Sequence, residues 1–179
     1  MLHKIKAGDE YSIHSPFLFE FYNQTVAYHK HFYQFDELNS LRKELLRDKT
    51  VLEIHDLGVG SKKNPSYKRT VSDILKSSGK PEFLANFLFK AVNHIQPRIS
   101  LELGTSLGLT TLYLAAPISD QTLYTIEGCP QTYDYAVKIF EKEHANNIIP
   151  VLGDIDEVLP ALIARLDHLD FVFFDANHS

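Results

Sequence analysis

From about residue 97 onward the apolar positions switch rhythm repeatedly, short continuous runs alternating with stripes at helical spacing. Residues 99–103 form an apolar run closed at once by Gly104. Leu109, Leu112, Ala115 and Ala116 then recur on one helical face and stop at Pro117, a helix ended by a breaker. Residues 123–126 predict a second strand. Pro130 opens a second helix, whose face is Tyr133, Ala136, Val137 and Phe140. Residues 148–152 predict a third strand, and Val158, Leu159, Leu162, Ile163 and Leu166 stripe a third helix. Residues 169–174 are nearly all apolar and predict a fourth strand buried on both faces, as in parallel sheets.

Four strands and three helices in strict alternation predict an α/β fold, Rossmann-like and doubly wound around a mainly parallel sheet. The pattern stops after the fourth strand, so the sheet reads as truncated there, with residues 171–174 as an apolar edge open to pairing. A homodimer joined through that edge is one expectation. Earlier in the chain, residues 17–28 and 38–46 predict helices, and residues 51–57 an extra strand or hairpin. Phe83, Leu84, Phe87, Leu88, Ala91, Val92 and Ile95 stripe a longer helix with Pro81 near its start. These helices are expected against the sheet or over its carboxyl edge. The chain therefore divides into an N-terminal helical extension, residues 1–80, and a ligand-binding α/β domain, residues 81–179.

Composition narrows the function classes. Lys and Arg number 18 against 23 Asp and Glu, a net charge of −5 that exerts no general pull on nucleic acid or anionic membrane. The single cysteine, Cys129, forbids an intrachain disulfide and suits a reducing cytoplasm. No apolar run approaches a membrane span, and residues 1–10 lack the apolar core of a signal peptide. Nine histidines show no spacing of a structural zinc site, and no metal ligands are assigned. Residues 62–80 carry six cations against one acid, Asp73, a local charge of +5. A solvated helix face is the default there; a rim attracting an anionic substrate or, as a minor option, a nucleic-acid phosphate is the functional alternative.

The chemistry concentrates at Glu102-Leu103-Gly104-Thr105-Ser106-Leu107-Gly108, between a strand and a helix. Glycines there permit a sharp turn and a close ligand approach, and the next helix offers free N–H groups. Dinucleotide folds want G-x-G-x-x-G to seat a pyrophosphate. This loop is G-x-x-x-G with an acid two residues ahead, which repels pyrophosphate and suits an amino-acid ammonium. Glu127, 23 residues after Gly104, ends the next strand, where a carboxylate can accept both ribose hydroxyls. The pattern points to a ligand joining a nucleoside to an amino acid. Asp56-Leu57-Gly58-Val59-Gly60-Ser61 mimics such a loop, but Lys62, Lys63, Asn64 and Pro65 follow it instead of a helix, so a hairpin or surface loop is expected.

These residues resemble the class I S-adenosylmethionine-dependent methyltransferases, in wording closest to the O-methyltransferase branch of the catechol and caffeoyl-CoA enzymes. Besides the loop and Glu127, Gly153-Asp154 matches the turn beside the adenine, and Phe173-Phe174-Asp175-Ala176 the fourth-strand motif. His14-Ser15-Pro16-Phe17 is similar to a bacterial subgroup of uncharacterised members. The resemblance implies S-adenosylmethionine as cofactor and a small-molecule methyl acceptor. It implies Glu102, Gly104, Thr105, Ser106, Gly108 and Thr110 on the methionine side, and Glu127 at the ribose. Gly128, Gly153, Asp154 and Ile155 would border the adenine, and Asp175 the transferable methyl. His178 would stand where metal-dependent relatives place a lysine base. A divalent metal in those relatives needs ligands beyond position 179. Two alternatives remain: a module that binds the cofactor without turnover, and a nicotinamide oxidoreductase, which the glycine spacing disfavours.

Overall fold

The computed structural model describes residues 15–27, 31–54 and 67–176. The first helix, α1 (Pro16–Tyr22), starts where Ser15 caps it, its hydroxyl accepting from the Leu18 N–H, with Pro16 in the first turn. The expected single helix over residues 17–28 instead widens into a π-helical turn at Asn23–Ala27, where the Thr25 hydroxyl donates to the Phe21 carbonyl at 2.6 Å. Tyr28 lies outside the described residues. Helix α2 (Tyr33–Leu45) follows, then β1 (Val51–Ile54) and β2 (Tyr67–Thr70), paired antiparallel as a hairpin. Asp56 to Pro65 lie outside the described residues. The basic stretch after them is mostly helix: α3 (Val71–Ser78), capped by the Thr70 hydroxyl. Helix α4 (Glu82–Ile95) begins after Pro81.

The alternating half then runs β3 (Ile99–Leu103), α5 (Leu109–Ala115), β4 (Thr122–Glu127), α6 (Pro130–Lys142), β5 (Ile148–Leu152), α7 (Ile155–Ile163) and β6 (Phe171–Phe174). All four strands are parallel, in the order β5-β4-β3-β6. Pro150 is tolerated because β5 is an outer strand, where a missing donor can face away from the ladder. Strand β6, expected to be buried on both faces, is only partly buried, and Phe174 is 60% exposed. The reason is its outer place, with β3 as its one partner among the described residues.

Strand alternation sorts the side chains into two layers. Leu101, Leu103 and Ile126 face α7 with Val151 and Val172. The opposite face meets the larger core, which runs from Phe35 and Leu38 in α2 through Phe89 and Val92 in α4 to Leu112, Phe140 and Ile148. Of the N-terminal helices, expected against the sheet or over its carboxyl edge, α3 ends beside the glycine loop at that edge. Both α2 and α4 pack on α5, forming an outer helical layer, while α1 reaches α4 through Phe21, whose ring stands edge-on to Phe87 and His94. The N-terminal elements thus share one core with the α/β half. Among the described residues, no helix is long and apolar enough to cross a membrane.

Candidate active site

The same alternation decides where Glu102 goes. With Leu101 and Leu103 committed to the α7 face, Glu102 must point to the opposite face, beneath α5. Its side chain is 0% exposed. Oε2 accepts from the Thr111 hydroxyl at 2.5 Å and from Thr125 at 2.7 Å, and Thr105 meets Thr125 at 2.6 Å. Among the described residues, Oε1 has no hydrogen-bond partner. Burial pushes the carboxyl up to about 8, against the lowering pull of the two threonines. Glu102 therefore braces the loop from below and is absent from the lining of the adjacent cleft.

The retained proton ties stability to pH. The folded chain keeps the Glu102 proton up to about pH 8, whereas a glutamate in the unfolded chain releases it near 4.5. Between those values the folded state binds more protons, so this group's contribution is full below the lower value and is lost as pH rises through the upper one. Glu102→Gln, a neutral isostere, removes that slope. It is expected to match wild type in urea denaturation near pH 5 and to exceed it at pH 8.5 by about 2 kcal/mol. That figure allows for relaxation around the buried group, a tenfold change in proton affinity corresponding to about 1.4 kcal/mol. Parallel curves at the two pH values would refute a protonated Glu102.

Above it, Gly104 adopts φ +99° and Ser106 +50°, with Gly108 at +78° as the N-cap of α5. The Gly104 and Thr105 N–H groups both donate to the Ile126 carbonyl. The space beside the glycines is occupied by the protein itself. A Cβ on Gly104 would lie 2.8 Å from the Ala176 nitrogen, and one on Gly108 would lie 2.6 Å from the Phe140 ring. These glycines serve close packing of the loop against β6 and α6 as much as any ligand.

Glu127, at the end of β4, clamps the loop from the side. Oε2 accepts the Ser106 N–H at 2.7 Å and Oε1 the Cys129 N–H at 2.9 Å. Burial raises this carboxyl above the usual range, with those N–H groups opposing. These two bonds take one acceptor position on each oxygen, of about four in a carboxylate, and the Gly128 N–H and Thr132 hydroxyl also stand close enough to favour its charged form. On the next turn, the Gly153 N–H donates to the Glu127 carbonyl, Asp154 caps α7 by accepting from Asp156, and Ile155 packs toward Leu101 and Ile126. Gly128 lies between Glu127 and Cys129, on the same edge.

A shallow cleft opens between the glycine loop and the end of α3. Thr105, Ser106, Thr110 and Asp175 line it together with Ser78 and Gly79. Asp175 follows β6, its N–H donating to the Leu103 carbonyl at 2.8 Å. Its carboxyl is ion-paired to Lys80. Burial lifts the Asp175 carboxyl and Lys80 pulls it back, with the rise prevailing. The structure thus brings Thr105, Ser106, Thr110 and Asp175 to one cleft, puts Glu127 and Gly128 at the adjoining strand end, and leaves Glu102 underneath. His178 lies outside the described residues. Among those described, no group of three or more His, Cys, Asp or Glu is arranged to hold a metal. Ser78, Gly79 and the Lys80 partner of Asp175 are additions that patterning does not single out. Its one signal for Lys80 is membership of the basic run.

Residues 101–179 match the sequence profile described as a methyltransferase domain. No protein of curated function matches the chain. Among solved structures, the chain is similar to an O-methyltransferase of tomaymycin synthesis from Streptomyces achromogenes, solved with S-adenosylmethionine: 26% identity, TM-score 0.53, covering 56% of this chain and 46% of the other. An O-methyltransferase from Bacillus cereus with S-adenosylhomocysteine shares 19% identity at TM-score 0.53, covering 88% and 59%. An S-adenosylhomocysteine-bound methyltransferase from Podospora anserina shares 17% at TM-score 0.53, covering 84% and 61%. The chain spans 46 to 61% of the length of these three relatives. Residues 101–179 thus match a methyltransferase domain, and the chain shares the fold of these solved methyltransferases.

Proposed function

We propose that the chain binds S-adenosylmethionine along the carboxyl edge of its sheet, as part of an enzyme that transfers the methyl group to an oxygen of a small acceptor. The observation that carries this reading is the convergence of three elements on one edge: the loop 104–108, the Glu127 clamp and the Asp175 cleft. The donor set suits such a ligand. Glu127 retains acceptor positions for two ribose hydroxyls. Gly128, Gly153, Asp154 and Ile155 form the neighbouring turns on which an adenine would rest. Ser106 and Thr110 line the cleft on the side suited to the amino-acid end, while the Thr105 hydroxyl is turned inward to Thr125.

When bound, this cofactor supplies a methyl already activated on a sulfonium, so the chain's part is orientation and charge. Glu127 fixes the nucleoside while also holding the Ser106 amide, which couples loop shape to ligand position. Asp175 offers a carboxylate beside the reacting end. Glu102, through Thr125 and Thr111, keeps the loop and α5 in register from below.

Calorimetric titration with S-adenosylhomocysteine and, separately, with NAD tests the assignment. Saturable binding of the first with no binding of the second is expected. The reverse result would replace this reading with an oxidoreductase.

A further inference from the structure

Of the ion pairs among the described residues, Lys80 with Asp175 is the least exposed, at 26% and 18% of the two side chains. It also joins the N-terminal helices to the cleft. Lys80 lies between Gly79, which closes α3, and Pro81, which opens α4. Its backbone is pinned from α2: the Arg42 guanidinium donates to the Lys80 carbonyl at 2.9 Å, and Asn39 donates to Glu82 at 3.0 Å. Tyr113, inside the core on α5, donates to Asn39 in turn at 2.9 Å. The position of the ammonium is therefore set by the fold and not by a free surface side chain.

Resting on the cofactor assignment above, we propose that Lys80 is a built-in competitor for the cation seat at Asp175, and so determines how tightly the cleft holds the charged methyl donor relative to its uncharged product. The donor and S-adenosylhomocysteine differ by a methyl and one positive charge; nucleoside, ammonium and carboxylate are common to both. With Lys80 in place, an arriving sulfonium meets a carboxylate already neutralised and a second cation beside it. The thioether product carries no such charge and is indifferent to the pair. Removing the Lys80 charge leaves a bare, half-buried carboxylate, which attracts the sulfonium form alone.

Calorimetry on the chain as it stands, with S-adenosylmethionine and S-adenosylhomocysteine as the two ligands, tests this. Lys80→Met is expected to tighten the donor about tenfold, the order of one charge contact at a partly screened site, and to move the product less than about threefold. Lys80→Gln is expected to behave alike and carries the test if the methionine variant does not melt cooperatively. Lys80→Arg should stay near wild type, and Asp175→Asn should weaken the donor selectively. Equal changes for both ligands, no change, or a weaker donor in the Lys80 variants would overturn the inference while leaving the cofactor assignment standing. Failure of every protein to bind either ligand would overturn both.

Discussion

Glu127→Ala is expected to weaken S-adenosylhomocysteine binding by about 100-fold or more against wild type. In the proposed binding mode the carboxylate accepts two ribose hydroxyls, and hydrogen bonds to a charged acceptor contribute about 1.5–3 kcal/mol each. Two such bonds correspond to at least about two orders of magnitude in Kd. The variant also frees the Ser106 and Cys129 amides, so the loop loses its lateral clamp as the ligand loses its anchor. Glu127→Gln should fall between the two, since it keeps one acceptor oxygen while its amide group opposes one of those N–H donors. Titration calorimetry at constant pH and salt is the measurement. Binding of the alanine variant within about threefold of wild type would remove Glu127 from the ligand site.

Gly104→Ala is expected to cost about 3–5 kcal/mol of folding stability, read as a lowered urea midpoint and melting temperature. At φ +99° an L side chain is strained, which costs about 1–3 kcal/mol. The new Cβ would also press on backbone, 2.8 Å from the Ala176 nitrogen and 2.9 Å from the Asp175 carbonyl carbon. Backbone yields less readily than a side chain, because relief would pull on the Asp175 N–H bond to Leu103 and on the β3–β6 ladder. Overpacking of this kind adds about 1–3 kcal/mol. A loss below about 1 kcal/mol would show that the loop and the end of β6 move apart freely. Because the contact is with Asp175 itself, the variant is also expected to disturb the Lys80 pair.

The alternating half of the chain was legible element by element because its signals are local. An apolar run, a glycine or proline stop and a helical stripe each occupy fewer than about fifteen residues, and parallel strands buried in a sheet repeat them strongly. Where local patterning fell short, a side-chain bond to the backbone or pairing between distant strands intervened. The helix expected over residues 17–28 widens into a π-turn after Tyr22, where the Thr25 hydroxyl takes the Phe21 carbonyl. Leu169 and Asp170 read as part of the last strand, yet the ladder begins at Phe171, because pairing with β3 starts opposite Ser100.

Glu102 marks the same divide at the site. Spacing alone makes it an acid beside a glycine loop, and only the sheet shows that both of its neighbours, Leu101 and Leu103, are committed to α7. A strand cannot turn three successive side chains to one face, so the acid goes to the interior, against Thr111 and Thr125. Lys80 is the converse case. It sits 95 positions from Asp175 in the chain, inside a basic run that sequence reads as solvated, and the packing of α2 and α4 on α5, with α3 against α2, carries it to the cleft.

By itself, then, the sequence determined the order of strands and helices, the parallel sheet and the glycine loop with its two acids, since periodicity and backbone-permissive residues act over a few positions. Which of those acids keeps partial access to solvent, what fills the space beside each glycine and which cation meets Asp175 were decided only by the tertiary structure. Those outcomes depend on strand parity and on contacts between segments far apart in the chain, which no local pattern encodes.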